Sequence, residues 1–235
     1  MKYKQILAFG DSVVFGDELT DSFCPQQQNQ LAFPGVLGEL LDIPVINCAM
    51  IGGSNVRSLR VLPEMLLAYP NSLVLFCYTS FDRSEFYLPT AHQSIPNDQF
   101  HVPLGINFTH ANAGKEHQFY NETYLKYFCH PVHEKFNWRE YNALFTVQTF
   151  CEHYAADYRQ IFLYGDMIFN HSLEQSVILE HVDREKIIQF GNFHDNLGKG
   201  SVYSWLRQQH ANFCPGGHPD KDAHQQIAKH ILEHL

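Results

Sequence analysis

Apolar residues recur along this chain in two rhythms, short continuous runs and longer stretches spaced for one face of a helix, and the two alternate. Gln5 to Phe9 is a short run that stops at Gly10, which predicts a buried strand delivering a tight turn. Ala32 to Leu41 carries Phe33, Val36, Leu37, Leu40 and Leu41 at helical spacing, with Pro34 in the first turn, where its missing N–H costs nothing. Ile43 to Cys48 reads as a second strand. Ser54 is placed to cap a helix bearing Val56, Leu59, Leu62, Met65 and Leu66, which Pro63 is expected to kink or end. A third strand is expected from Ser72 to Tyr78, a helix from Trp138 to about Tyr158, and strands at Gln160 to Tyr164 and Ile187 to Phe190. Ala223, Ile227, Ala228, Ile231, Leu232 and Leu235 share one face of a last helix beginning near Asp220, an acidic residue suited to a helix N-terminus.

Strands alternating with helices imply an α/β fold with a parallel sheet and helices on both faces. From about Glu85 to Asn137 the pattern breaks. Pro, Asn, His and aromatic residues mix there with no sustained period, and the segment reads as an insertion in a single domain spanning 1–235. Its aromatic residues, Phe86, Tyr87, Phe100, Phe108, Phe119, Tyr120, Tyr124, Tyr127 and Phe128 with Trp138 just beyond, suit a lid, a carbohydrate-stacking platform or a satellite core under a long loop.

Composition narrows the function classes. A chain of 235 residues, 45% hydrophobic and 17% charged, is long enough to bury one substantial core. A formal charge of −9 without a basic stripe argues against a nucleic-acid partner. The N-terminal apolar run is too short for a signal peptide and no later segment is long enough for membrane insertion, so a soluble, cytoplasmic protein is expected. Cys24, Cys48, Cys77, Cys129, Cys151 and Cys214 lack CxxC spacing and read as free, mostly buried thiols. Fifteen histidines include a cluster in the insertion, yet none shows HExxH spacing; no metal and no cofactor are called for.

In a sheet of this kind, ligands bind beyond the carboxyl ends of the strands. Three segments fall there. Phe9-Gly10-Asp11-Ser12 presents a serine on a sharp turn, with Asp11 able to fix that turn by accepting backbone N–H groups. Asn47 to Asn55 contains Gly52, where a bare backbone N–H can face a developing oxyanion. Gly216-Gly217-His218-Pro219 supplies an imidazole on a loop, the usual base for a serine nucleophile.

Gly10-Asp11-Ser12 with Gly16, Gly52 with Ser54 and Asn55, and His218-Pro219 with His224 and Ala228 resemble, in order, three conserved blocks of the GDSL/SGNH hydrolases. The resemblance implies a flavodoxin-like three-layer α/β/α sandwich around a five-stranded parallel sheet. It also implies ester hydrolysis through an acyl-enzyme on Ser12, with His218 as base and the N–H groups of Ser12 and Gly52 as oxyanion hole. Asp11 and Asn55 take supporting roles. His224 is expected to pack or cap, not to act as base. A small-molecule or glycan ester, O-acetyl or short-chain, is the expected substrate.

Two positions depart from the family pattern. The GxND block, whose asparagine adds an oxyanion donor, is replaced by Thr79-Ser80-Phe81-Asp82, so that Ser80 falls where the asparagine would lie. The aspartate expected three residues before the histidine is replaced by Pro215. A backbone carbonyl, or a carboxylate from another loop such as Asp195, is left to orient His218. The alternative is a catalytically impaired SGNH-fold module that binds, or builds a phage or surface particle.

Overall fold

The computed structural model describes residues 2–80, 83–87, 101–104, 133–164, 180–191 and 200–235. Five strands form one parallel sheet: β1 (Gln5–Phe9), β2 (Val45–Asn47), β3 (Ser72–Tyr78), β6 (Asp157–Phe162) and β7 (Ile187–Ile188), in the spatial order β2-β1-β3-β6-β7. A second, antiparallel pair joins β4 (Ser84–Tyr87) to β5 (His101–Leu104). The helices are α1 (Ser12–Phe15), α2 (Pro25–Leu31), α3 (Phe33–Leu41), α4 (Asn55–Ala68), α5 (His133–His153), α6 (Val202–Gln208) and α7 (Lys221–Leu232).

The order of the five parallel strands is the doubly wound arrangement in which the chain reverses direction between β1 and β3. Alternate residues of each central strand enter opposite cores. Ile6 and Ala8 of β1, with Leu73, Leu75 and Cys77 of β3, meet Phe33 and Leu37 of α3 and Ala223, Ile227 and Ile231 of α7. Leu7 and Phe9, with Val74, Phe76 and Tyr78, meet Leu62 and Leu66 of α4 and Ala143, Val147 and Cys151 of α5. Every residue of β3 is buried, as a strand covered on both faces requires. The result is the expected three-layer α/β/α sandwich.

Strands β1 and β3 occupy the spans read from sequence. Other boundaries moved, for physical reasons. Helix α4 does not end at Pro63 but continues through it to Ala68; burial of Leu62 and Leu66 on the sheet offsets the hydrogen bond that proline removes. Helix α5 closes at His153 rather than near Tyr158, because Ala155 takes a left-handed conformation (φ 52°) and Ala156 N–H returns to the Cys151 carbonyl. Strand β6 therefore starts three residues earlier than expected, at Asp157. The segment read as an irregular insertion contains the β4–β5 pair and the first turns of α5. An Arg60–Glu85 ion pair ties β4 to α4, with Nε to Oε1 at 2.8 Å. Phe86 and Tyr87 lie in β4 and Trp138 in α5, whereas Phe100, Phe108, Phe119, Tyr120, Tyr124, Tyr127 and Phe128 lie outside the described residues.

Candidate active site

The turn after β1 is built around Asp11. Its Oδ1 accepts the Val13 N–H at 3.0 Å and caps α1, which lifts Ser12 off the strand end. Its Oδ2 accepts from Thr79 Oγ1 at 2.7 Å, Arg83 Nη1 at 2.7 Å and Tyr164 OH at 3.0 Å. Asp11 is fully buried, and this one carboxylate draws the loops after β1, β3 and β6 together. Burial first, and the Asp11 charge second, push the Tyr164 hydroxyl well above its ordinary pKa, so it remains a donor.

The segment after β2 packs beneath the same turn. Met50 N–H donates to the Gly10 carbonyl and Gly53 N–H to the Met50 carbonyl. Gly52 between them has φ 74°, a conformation glycine adopts without strain. Ser54 caps α4 by accepting the Arg57 N–H. Asn55, the first residue of α4, is buried and grips both backbone polar groups of one residue: its Nδ2 donates to the Thr79 carbonyl at 3.0 Å and its Oδ1 accepts the Thr79 N–H at 2.9 Å. Thr79 is thereby fixed beside the serine turn. Neither Ser12 N–H nor Gly52 N–H makes a backbone hydrogen bond among the described residues.

His218 reaches this turn from the far end of the chain. Its Nε2 lies 2.8 Å from Ser12 Oγ, a hydrogen-bonding distance across 206 residues of sequence. The loop that carries it is braced by the Cys214 N–H donating to the His218 carbonyl at 2.7 Å and by an isolated antiparallel bridge between Phe213 and Pro219. Tyr203 OH donates to the Gly217 carbonyl, and stacked rings of Tyr164, Tyr203 and Phe213 run from Asp11 to this loop.

The opposite nitrogen of His218, Nδ1, sits 2.6 Å from Glu18 Oε2, a contact absent from the sequence reading. Asp195, the carboxylate considered for that place, lies outside the described residues. Burial raises the Glu18 carboxyl, but hydrogen bonds from the His218 ring and from the Gly216 and His218 N–H groups outweigh it and hold the group below the ordinary carboxylate value. The available signal for Glu18 was negative: Pro215 carries no carboxylate, so an acid had to come from another loop.

His224 occupies the packing position expected of it. It is fully buried, its Nδ1 accepts the Phe33 N–H at 3.0 Å, and its ring stacks on Phe33. Burial, and secondarily the nearby His218, push its pKa down to about 3.

The described cysteines are free thiols, with Cys77 and Cys151 buried. Among the described residues, no group of three or more His, Cys, Asp or Glu side chains is arranged to hold a metal ion, and no helix is long and apolar enough to cross a membrane.

A serine on the turn after the first strand is thus in contact with a histidine before the last helix, on a five-stranded parallel sheet with helices on both faces. Solved structures share this fold across nearly the whole chain. An acetylxylan esterase from Geobacillus stearothermophilus, solved as a catalytic mutant, superposes with a TM-score of 0.54 at 10% identity, covering 100% of this chain and 96% of that one. LAE5, an α/β hydrolase from the metagenome of Lake Arreo, gives 0.51 at 10% identity over 98% and 94%. The psychrotrophic esterase EstA of Pseudoalteromonas sp. gives 0.50 at 12% identity over 98% and 95%. No family model and no curated protein matches the sequence. The fold is thus shared with esterases, with little sequence left in common.

Proposed function

We propose that this protein is a serine esterase that removes a short acyl group, such as an O-acetyl group on a carbohydrate or another small alcohol, through an acyl-enzyme on Ser12. The observation that carries the reading is the 2.8 Å contact between Ser12 Oγ and His218 Nε2 at the strand-order reversal of the sheet.

His218 Nε2 accepts the hydroxyl proton as Ser12 Oγ attacks the ester carbonyl. The tetrahedral oxyanion is held by the N–H groups of Ser12 and Gly52, with the Ser80 hydroxyl as a third donor in place of an asparagine amide. Collapse expels the alcohol, which takes the proton from His218. Water, deprotonated by the same nitrogen, then attacks the acyl-Ser12 carbonyl and releases the acid, restoring the hydroxyl. Support for an acyl substrate comes from the acetylxylan esterase and EstA, whose folds overlay this one along nearly their full lengths.

The test is hydrolysis of p-nitrophenyl acetate and of acetylated xylo-oligosaccharides by the wild-type, Ser12→Ala and His218→Ala proteins. Turnover by wild type, lost by about 10³-fold or more in both folded variants, supports the reading. Equal rates in all three would overturn it.

A further inference from the structure

We infer that Glu18 is the positioning carboxylate for His218, so that the nucleophile and the acid of this site stand six residues apart on one turn rather than on opposite ends of the chain. The inference rests on the esterase reading for its kinetic consequence, but its geometry stands independently.

Three features fix Glu18 in the role. Its backbone is left-handed (φ 66°), a conformation uncommon for a residue with a Cβ, held where the turn after α1 folds back through the Asp17 N–H to Ser12 carbonyl bond. Its two carboxylate oxygens are divided between donors of the histidine loop: Oε1 accepts the Gly216 N–H at 2.7 Å, while Oε2 faces His218 Nδ1 at 2.6 Å and the His218 N–H at 3.4 Å. The loop is also shaped to admit it. A Cβ on Gly216 would stand 2.4 to 2.6 Å from the Glu18 carboxylate, so a side chain at that position would require this carboxylate to shift.

The division of oxygens explains why the group must be a carboxylate. Both residues it meets, Gly216 and His218, present only donors to it when His218 carries its proton on Nδ1, the tautomer that leaves Nε2 free to accept from Ser12. An amide at position 18 cannot serve both. With its oxygen toward Gly216, its NH₂ faces Nδ1 and favours the tautomer that cannot deprotonate Ser12; turned over, its NH₂ meets the Gly216 N–H head on. Pro215, three residues before the histidine, has no side-chain acceptor to offer in compensation.

The experiment compares wild type, Glu18→Gln, Gly216→Ala and the double variant, each verified as folded by circular dichroism. ¹⁵N NMR of the imidazoles reports the His218 tautomer whether or not the protein turns over an ester. We expect the Nδ1–H form in wild type and a shift toward Nε2–H in Glu18→Gln. For p-nitrophenyl acetate we expect kcat to fall by about 10³ to 10⁴-fold with KM nearly unchanged. Gly216→Ala, which displaces the same carboxylate without removing it, should reproduce part of the loss, and the double variant should be no worse than Glu18→Gln. An unchanged tautomer and an undiminished kcat in Glu18→Gln would overturn the assignment. If wild type fails to hydrolyse esters, the esterase reading falls and the tautomer comparison still decides the role of Glu18.

Discussion

Removal of the Asp11 carboxylate should destabilise the whole domain, because three loops converge on it. In Asp11→Ala, Thr79 Oγ1, Arg83 Nη1 and Tyr164 OH all lose the acceptor they share, and α1 loses its cap. The Arg83 side chain is largely buried and Asp11 wholly so, which places their 2.7 Å ion pair among those whose disruption costs about 3 to 5 kcal/mol. Loss of the cap adds about 1 kcal/mol. In a domain of this size each kcal/mol lowers Tm by about 2 to 4 °C, so a fall of roughly 8 to 24 °C is expected. Asp11→Asn, which keeps an acceptor for the Val13 N–H but not the charge, should fall by about half as much. Thermal denaturation followed by circular dichroism at pH 7 measures both. A drop below about 3 °C in Asp11→Ala would refute the claim that this carboxylate joins the loops.

Asn55→Ala should cost about 1 to 3 kcal/mol in urea denaturation and slow ester turnover, since the backbone N–H and carbonyl of Thr79 both lose their partner beside Ser80. His224 stays neutral in the folded protein down to about pH 3 while its unfolded counterpart takes up a proton near pH 6.5, so stability attributable to it is complete above pH 6.5 and falls as pH drops toward 3. Wild type should therefore lose about 1.4 kcal/mol more per pH unit between pH 6 and 4 than His224→Gln, read from paired urea melts; parallel curves would exclude the effect. Burial raises the Cys151 thiol to about 12 and the Cys77 thiol well above its usual range. Both should resist a disulfide reagent until denaturant is added, as counted by mass spectrometry.

The elements legible in sequence were those whose cause is local. Gln5–Phe9 and Ser72–Tyr78 are continuous apolar runs closed by polar residues, and a strand buried on both faces needs no other signal. Asp220 and Ser54 announced their helices because a cap acts on the residues that follow it. The motif-bearing turns were found for the same reason. What stayed hidden depends on partners distant in sequence. Glu18 looks like an ordinary acidic loop residue until the loop of Gly216 and His218, 200 residues away, closes over it. The passage of α4 through Pro63 depends on the sheet surface that its apolar face covers. The left-handed turn at Ala155 involves a residue with no turn preference, so the end of α5 is read about five residues late and the start of β6 three residues late.

The most direct test of an activated Ser12 is covalent capture. Purified wild type and Ser12→Ala would be treated with a fluorophosphonate and analysed by intact mass, with peptide mapping of any adduct. One adduct on wild type, located at Ser12, and none on Ser12→Ala are expected. Folded wild-type protein that remains unlabelled, or an adduct that persists in Ser12→Ala, would contradict it.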